Sequence, residues 1–212
     1  MNTSFYPQTL PPDTAKLLSL LHQKNPDFLS SFYLSGGTAL SLQLGHRESE
    51  DLDFFSQETF KPELIEQQLL EYGKLSETEL SQGTLNTYLN GVKLQFLHYP
   101  YRLIAPVENW EGIHLSSVID IACTKLQTVA MRGSRKDFID IFFLLREMTL
   151  ETLLAHTKEK YAESDYSETH ILKSLVYFDD AEAQPMPRMH QDVSWEQMKQ
   201  TIISAVKSIL VT

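Results

Sequence analysis

The sequence predicts an α+β fold, and two observations carry that prediction. Every strand-like segment falls in the first half of the chain, and apolar residues recur at helical spacing through the second half. Strands followed by helices is the α+β order, unlike the alternation of a doubly wound sheet. The chain has 212 residues, enough for one domain, or one compact domain with an appendage, and a sizeable core. We divide it at residue 110: residues 1–110 carry an N-terminal helix and the sheet, and residues 111–212 form a helical part.

Three prolines in residues 6–13 predict an extended entry. Asp13 then caps a helix from Thr14 to about Gln23, with Leu17, Leu18, Leu20 and Leu21 on its apolar face. Phe32-Tyr33-Leu34 reads as a strand stopped by Gly36-Gly37, and Thr38 to Leu44 as a helix ending at Gly45. A charged loop leads to the strand Asp51–Phe55, and Pro62 opens a helix to about Tyr72. Strands follow at 75–80, 84–90 and 92–99, the last two joined by Asn90-Gly91, a strong hairpin signal. From Ser116 the period becomes helical, with Ile119, Ala122, Cys123, Leu126, Val129 and Ala130 in one stripe until Gly133 breaks it. Further helices are expected at about 136–147, 150–161, 168–177 and 195–210.

Composition narrows the function classes. With 18 Lys and Arg against 28 Asp and Glu, the formal charge is −10, which argues against a surface coated with basic groups but leaves room for a local basic patch. The single cysteine, Cys123, excludes a disulfide framework and a cysteine-based zinc cluster. No run of 18 apolar residues occurs and the N-terminus lacks a signal-like pattern, so the expectation is a cytoplasmic protein with no membrane partner.

The chemistry concentrates in residues 33–55, YLSGGTALSLQLGHRESEDLDFF. Gly36-Gly37 lies between a strand and a helix N-terminus, where backbone approaches a ligand closely and free N–H groups favour phosphate. Asp51 and Asp53 are two apart on a strand, so both carboxylates share a face with Cα atoms roughly 6.5–7 Å apart. That spacing suits one or two Mg²⁺ ions completed by substrate phosphates. Leu52 and Phe54 point the other way, into the core. Alone, a Gly-Gly pair reads as a turn and a DxD as a solvated strand face; their succession across strand, helix, loop and strand is far more specific.

That stretch resembles the signature of the nucleotidyltransferase superfamily related to DNA polymerase β: a hydrophobic residue, Gly, Gly or Ser, a spacer, then two acids flanking a hydrophobic one. Within it, GGTALSLQLGHRESEDLDFF is similar to the AbiEii/AbiGii toxin family, the toxin half of type IV toxin–antitoxin systems. DIACTKLQTVAMRGSRKDFIDIFFLL at 120–145 and YFDDAEAQPMPRM at 177–189 extend the resemblance. It implies a nucleotidyltransferase fold, a small mixed sheet flanked by helices with a helical C-terminal part. It also implies NMP transfer from an NTP to an acceptor hydroxyl, on tRNA or another RNA, with Mg²⁺ as cofactor and a cognate antitoxin as partner.

Residue by residue, the resemblance makes Gly36, Gly37 and Thr38 the nucleotide-phosphate loop and Asp51 and Asp53 the holders of Mg²⁺. Arg47, in a loop with His46, would touch substrate phosphate. Lys125 would reach the triphosphate, and Asp137 and Asp140 would lie near the active site, one of them as a base. The residues themselves leave alternatives open. Lys125 snorkels to solvent or meets a defined partner, and Asp137 caps a helix or complements its dipole. Arg132, Arg135 and Lys136 form a basic cluster that serves either a triphosphate or RNA end, or only a solvated loop. Asp179, Asp180 and Glu182 have no role beyond helix capping or contact with that cluster.

One departure bears on activity. The superfamily often carries a third carboxylate on a later strand, where VKLQFL offers Gln95, a poor Mg²⁺ ligand. Either two acids suffice, another acid such as Glu77 or Glu79 substitutes, or catalysis is weak. Two rivals therefore stand beside the transferase: a non-catalytic nucleotide- or partner-binding member of the fold, and an enzyme modifying a small molecule of the aminoglycoside kind.

Overall fold

A computed structural model describes residues 4–164 and 166–211. Cα packing divides the chain into two compact units: one runs through Arg102 and takes in Pro106–Ser117, the other comprises Leu103–Ala105 and the chain from Val118 on.

The first unit contains, in order, α1 (Pro12–Lys24), β1 (Tyr33–Ser35), α2 (Gly36–Leu44), β2 (Leu52–Ser56), α3 (Pro62–Leu69), β3 (Leu75–Ser81), β4 (Thr84–Leu89), β5 (Val92–His98), β6 (Glu108–Trp110) and β7 (Ile113–Leu115). The strands form one mixed sheet in the order β3-β4-β5-β2-β1-β7-β6. β2 pairs parallel with β5 and β1 with β7, and the remaining pairs are antiparallel. Period two makes one sheet face apolar: Leu34, Phe54, Phe96 and Leu85 stand side by side across four strands and are fully buried. Phe54 stacks on Phe96 at 5.1 Å, and Phe32 meets Phe96 edge-on at 5.1 Å. Leu17, Leu18 and Leu21 of α1 supply further core.

Several local details depart from expectation. Asp13 does not cap α1, because the helix begins at Pro12, whose missing N–H needs no acceptor; Asp13 sits in the first turn, where its charge complements the dipole. α2 begins at Gly36, not Thr38, and ends at Gly45, which takes the left-handed conformation and returns its N–H to Ser41 O at 2.8 Å. Asn90 and Gly91 have φ of 52° and 86°, as a two-residue hairpin requires. The β6–β7 hairpin went unanticipated: its strands have three residues each, and its Glu111-Gly112 turn puts a glutamate at φ 48°.

The second unit contains α4 (Val118–Arg132), α5 (Arg135–Glu147), α6 (Leu150–Lys160), α7 (Glu168–Ser174), α8 (Asp179–Glu182) and α9 (Trp195–Val211). Ile121, Leu126, Phe138, Ile141, Leu153 and Ile202 build its core. Phe138, Phe178 and Trp195 pack mutually at ring distances of 4.7, 5.9 and 6.1 Å. Asp120 closes a second internal contact: its carboxylate accepts from Ile104 N–H at 2.9 Å and Ala105 N–H at 3.1 Å, and pairs with Lys160 Nζ at 2.7 Å. Among the described residues, no helix is long and apolar enough to cross a membrane.

Candidate active site

In the first unit, β1 delivers the chain into the first turn of α2, and β2 lies antiparallel beside it with Ser35 opposite Asp53. Gly36 has φ +65°, and an ideal Cβ there would stand 2.2 Å from Asp53 Oδ2. Only glycine fits both constraints. Gly37 is hemmed in by Arg47, whose Nη2 would lie 2.6 Å from a Cβ, and by Ser49 Oγ at 2.9 Å. Thr38 donates its hydroxyl to Asp51 O at 2.5 Å, tying the helix start to the strand entry. The loop is thus bound to both aspartates, through the side chain of one and the backbone of the other. β2 begins at Leu52, so Asp51 precedes the strand; Asp51 and Asp53 are half-buried while Leu52 and Phe54 are fully buried.

Arg47 is 2% exposed and donates Nη1 to Glu48 O at 2.9 Å. It is a buried brace against Gly37 that brings a fixed positive charge to the helix N-terminus. His46 beside it is fully buried.

β5 runs beside β2 in parallel register, with Gln95 next to Asp53. The position where a third carboxylate was expected is therefore the one that carries an amide, and Gln95 Nε2 donates to Asn86 Oδ1 at 2.9 Å on β4. Glu77 and Glu79 cannot substitute. They lie on β3, three strand spacings from β2 and so roughly 14 Å away. Among the described residues, no group of three His, Cys, Asp or Glu is placed to hold a metal ion. Asp51 and Asp53 supply hard carboxylate oxygens close in sequence to a helix N-terminus, and Gly36 has no side chain to collide with the Asp53 carboxylate. That donor set fits a divalent cation completed by phosphate oxygens and water.

In the second unit, Lys125, Asp137 and Asp140 come together. Lys125 is 6% exposed, and its Nζ lies 2.9 Å from Asp137 Oδ1 and 2.6 Å from Asp140 Oδ2. The defined partner is thus two fully buried carboxylates, and snorkelling to solvent is ruled out. Arg132 joins Asp137 through Nε at 3.0 Å and Nη2 at 3.3 Å. Ser134 donates Oγ to Asp137 Oδ2 at 2.5 Å and accepts the Asp137 N–H, a reciprocal cap at the start of α5. Burial alone would push the Asp137 carboxyl up; the Lys125 and Arg132 cations and the hydroxyl outweigh it and hold it below the ordinary carboxylate range.

The expected basic cluster is largely engaged within its own unit. Arg135 donates to Ala181 O and Glu182 O, both at 2.8 Å, and lies 4.8 Å over the Trp195 ring. Glu182 joins that contact, 3.6 Å from Arg135 and 2.6 Å from Lys199, while Lys136 remains exposed. Sequence reasoning missed Ser134, although Ser-x-x-Asp before an apolar run marks a helix start. It also missed the Asp120–Lys160 pair, which local spacing does not reveal, since 40 residues separate its members.

Against known proteins, the family model described as the nucleotidyl transferase AbiEii toxin of type IV toxin–antitoxin systems matches residues 19–108 and 95–209. A protein of Aquifex aeolicus (strain VF5), Uncharacterized protein aq_aa25, is 38% identical over 189 residues, 85% of this chain and 89% of its own. The crystal structure of JHP933 from Helicobacter pylori superposes with a TM-score of 0.57 at 18% identity, covering 97% of this chain and 93% of that one. MenT4, a nucleotidyltransferase toxin from Mycobacterium tuberculosis H37Rv, gives 0.53 at 12% identity, covering 95% and 86%. The two structures share the fold; the family model and the sequence relative decide membership, and the chain belongs to the AbiEii family of nucleotidyl transferase toxins.

Proposed function

We propose that the protein transfers a nucleoside monophosphate from an NTP to an acceptor hydroxyl on RNA, a tRNA end being the expected acceptor. A cognate antitoxin would restrain it in the cytoplasm. The acceptor oxygen attacks the α-phosphorus, the bond from that phosphorus to the bridging oxygen breaks, pyrophosphate leaves, and the acceptor proton passes to a carboxylate base. The observation that carries this reading is the contact of Gly36 with the Asp53 carboxylate at the start of α2. It sets the Asp53 carboxylate beside the first N–H groups of a helix, an arrangement that suits a nucleotide triphosphate with its cation.

Gly37 and Thr38 N–H groups would receive phosphate oxygens, with Arg47 adding positive charge behind them. Asp51 and Asp53 would hold Mg²⁺, which when bound offsets charge on the transferring phosphoryl group. The family motif also assigns Lys125 to phosphate and Asp137 or Asp140 to the base; within its own unit Lys125 bridges those two buried carboxylates.

The test is incubation with each labelled NTP, Mg²⁺ and total tRNA, for wild type, Asp51→Asn and Asp53→Asn. Transfer by wild type alone, with both variants melting near the wild-type temperature, supports the reading. Gln95 favours one rival, since an amide tied to Asn86 stands where a third acid would be. Wild type that binds NTP with Mg²⁺ and transfers nothing to any RNA or small acceptor would establish the non-catalytic alternative.

A further inference from the structure

Ser35 closes β1 and occupies the N-cap position of α2. Serine there ordinarily turns its hydroxyl onto an N–H two or three residues on. In this chain it caps nothing, with φ −132° and ψ −154°. The residue is 1% exposed, and its Oγ is shut off from solvent with no hydrogen-bond partner among the described residues. A buried hydroxyl in that condition destabilises the resting protein.

Register shows where the hydroxyl sits. Ser35 is directly opposite Asp53 across the antiparallel pair, so both side chains leave the same sheet face as near neighbours. Gln95 flanks Asp53 on the other side, and its amide nitrogen is given to Asn86. Of the two residues that flank Asp53 in the sheet, Ser35 carries the donor that the resting protein leaves unmatched. Its burial keeps it from substrate, so any effect it has on the reaction passes through Asp53.

We propose that Ser35 is a positioning residue for Asp53. When a divalent cation takes one carboxylate oxygen of Asp53, Ser35 Oγ–H donates to the other and fixes the carboxylate in its ligating orientation. Carboxylates that bind metals are commonly held by such neighbours, and losing one weakens metal affinity by about tenfold or more. The inference rests on the reading of Asp53 as a metal ligand given above.

The experiment titrates Mn²⁺ alone by electron paramagnetic resonance into wild type, Ser35→Ala, Asp53→Asn and Ser41→Ala, and records melting without metal. Ser41 is the control: its Oγ is likewise buried without a partner, but it lies one and a half turns into α2. The expected result is Mn²⁺ binding lost in Asp53→Asn, weakened about tenfold in Ser35→Ala and unchanged in Ser41→Ala. Ser35→Ala should melt no lower than wild type, since it removes only an unmatched oxygen. Wild-type affinity in Ser35→Ala alongside loss in Asp53→Asn overturns this inference and leaves the metal reading standing. A melting temperature several degrees lower overturns it too, because the hydroxyl then has a partner in the resting protein. Wild type that binds no Mn²⁺ overturns both.

Discussion

Gly36 and Asp53 meet without room for one further atom: a Cβ on the glycine would lie 2.2 Å from the carboxylate oxygen and 3.1 Å from its Cγ. The glycine's φ of +65° compounds this, since it lies in the region that L side chains avoid. Strand β1, helix α2 and strand β2 are therefore locked through a contact between backbone and an acid, where a hydrophobic side chain would ordinarily do the packing.

Gly36→Ala should consequently be far worse than an ordinary surface change. The left-handed backbone costs about 1–2 kcal/mol, and relieving the collision turns Asp53 out of place. We expect a clear fall in melting temperature together with loss of nucleotide transfer and of Mn²⁺ binding. A variant that melts and binds as wild type does would show that the loop is not locked in this way.

Lys125→Ala is expected to damage stability as well as any use of NTP. The ammonium lies between Asp137 and Asp140, both fully buried. Removing it breaks a buried ion pair with each carboxylate, although Asp137 keeps Arg132 and Ser134, and the cost should be about 3–5 kcal/mol. From sequence, Lys125 reads as a lysine in an apolar stripe with a triphosphate role implied by resemblance, because spacing does not reveal its partners. Urea denaturation checks the expectation, and an unchanged midpoint would refute it.

The same cluster fixes an acid limb. Asp137 has a folded pKa below its unfolded value, near 3.9. Its stabilising contribution is thus complete above the unfolded value and is lost as pH falls through the folded one. Arg132 is one of the cations that depress it and is 65% exposed, so Arg132→Ala should fold. That variant should begin to lose stability at a higher pH than wild type when melting is followed from pH 5 to pH 2. Superimposable acid limbs would mean that Arg132 does not set the Asp137 titration.

How far the sequence could be read depended on the range of the interactions. Gly45, Asn90-Gly91 and the alternation around Leu52 and Phe54 are local signals, and each element they mark is present. Gly36 and Gly37 were legible as a glycine turn between strand and helix, yet not why glycine is needed. That reason lies in Asp53 and in Arg47, which are distant along the chain and adjacent in the fold. The failed carboxylate substitutes teach the same point. Glu77 and Glu79 look available in sequence, but strand order removes them, since β4 and β5 intervene before β2. Asp13 misled for a local reason, as Pro12 had already started the helix.

The most informative stability test lies at Asp120. Its two oxygens serve three donors: Lys160 Nζ and the N–H groups of Ile104 and Ala105. Asp120→Ala leaves a lysine charge in a 1%-exposed environment and two backbone donors unmatched, so the loss should reach about 3–5 kcal/mol. Replacing both partners, Asp120→Leu with Lys160→Met, removes the stranded charge but cannot return the two N–H bonds. The double variant should therefore recover only part of the loss, the two unmatched N–H groups keeping the remainder. Cys123, one turn along the same helix, supplies the readout. Its thiol is fully buried, and burial pushes its pKa up to about 11. At pH 8 only about one thiol in a thousand is ionised, so alkylation of the native protein should be very slow. Labelling should speed up strongly in Asp120→Ala and fall back partway in the double variant. Full recovery in the double variant would assign the whole effect to the ion pair and none to the backbone bonds.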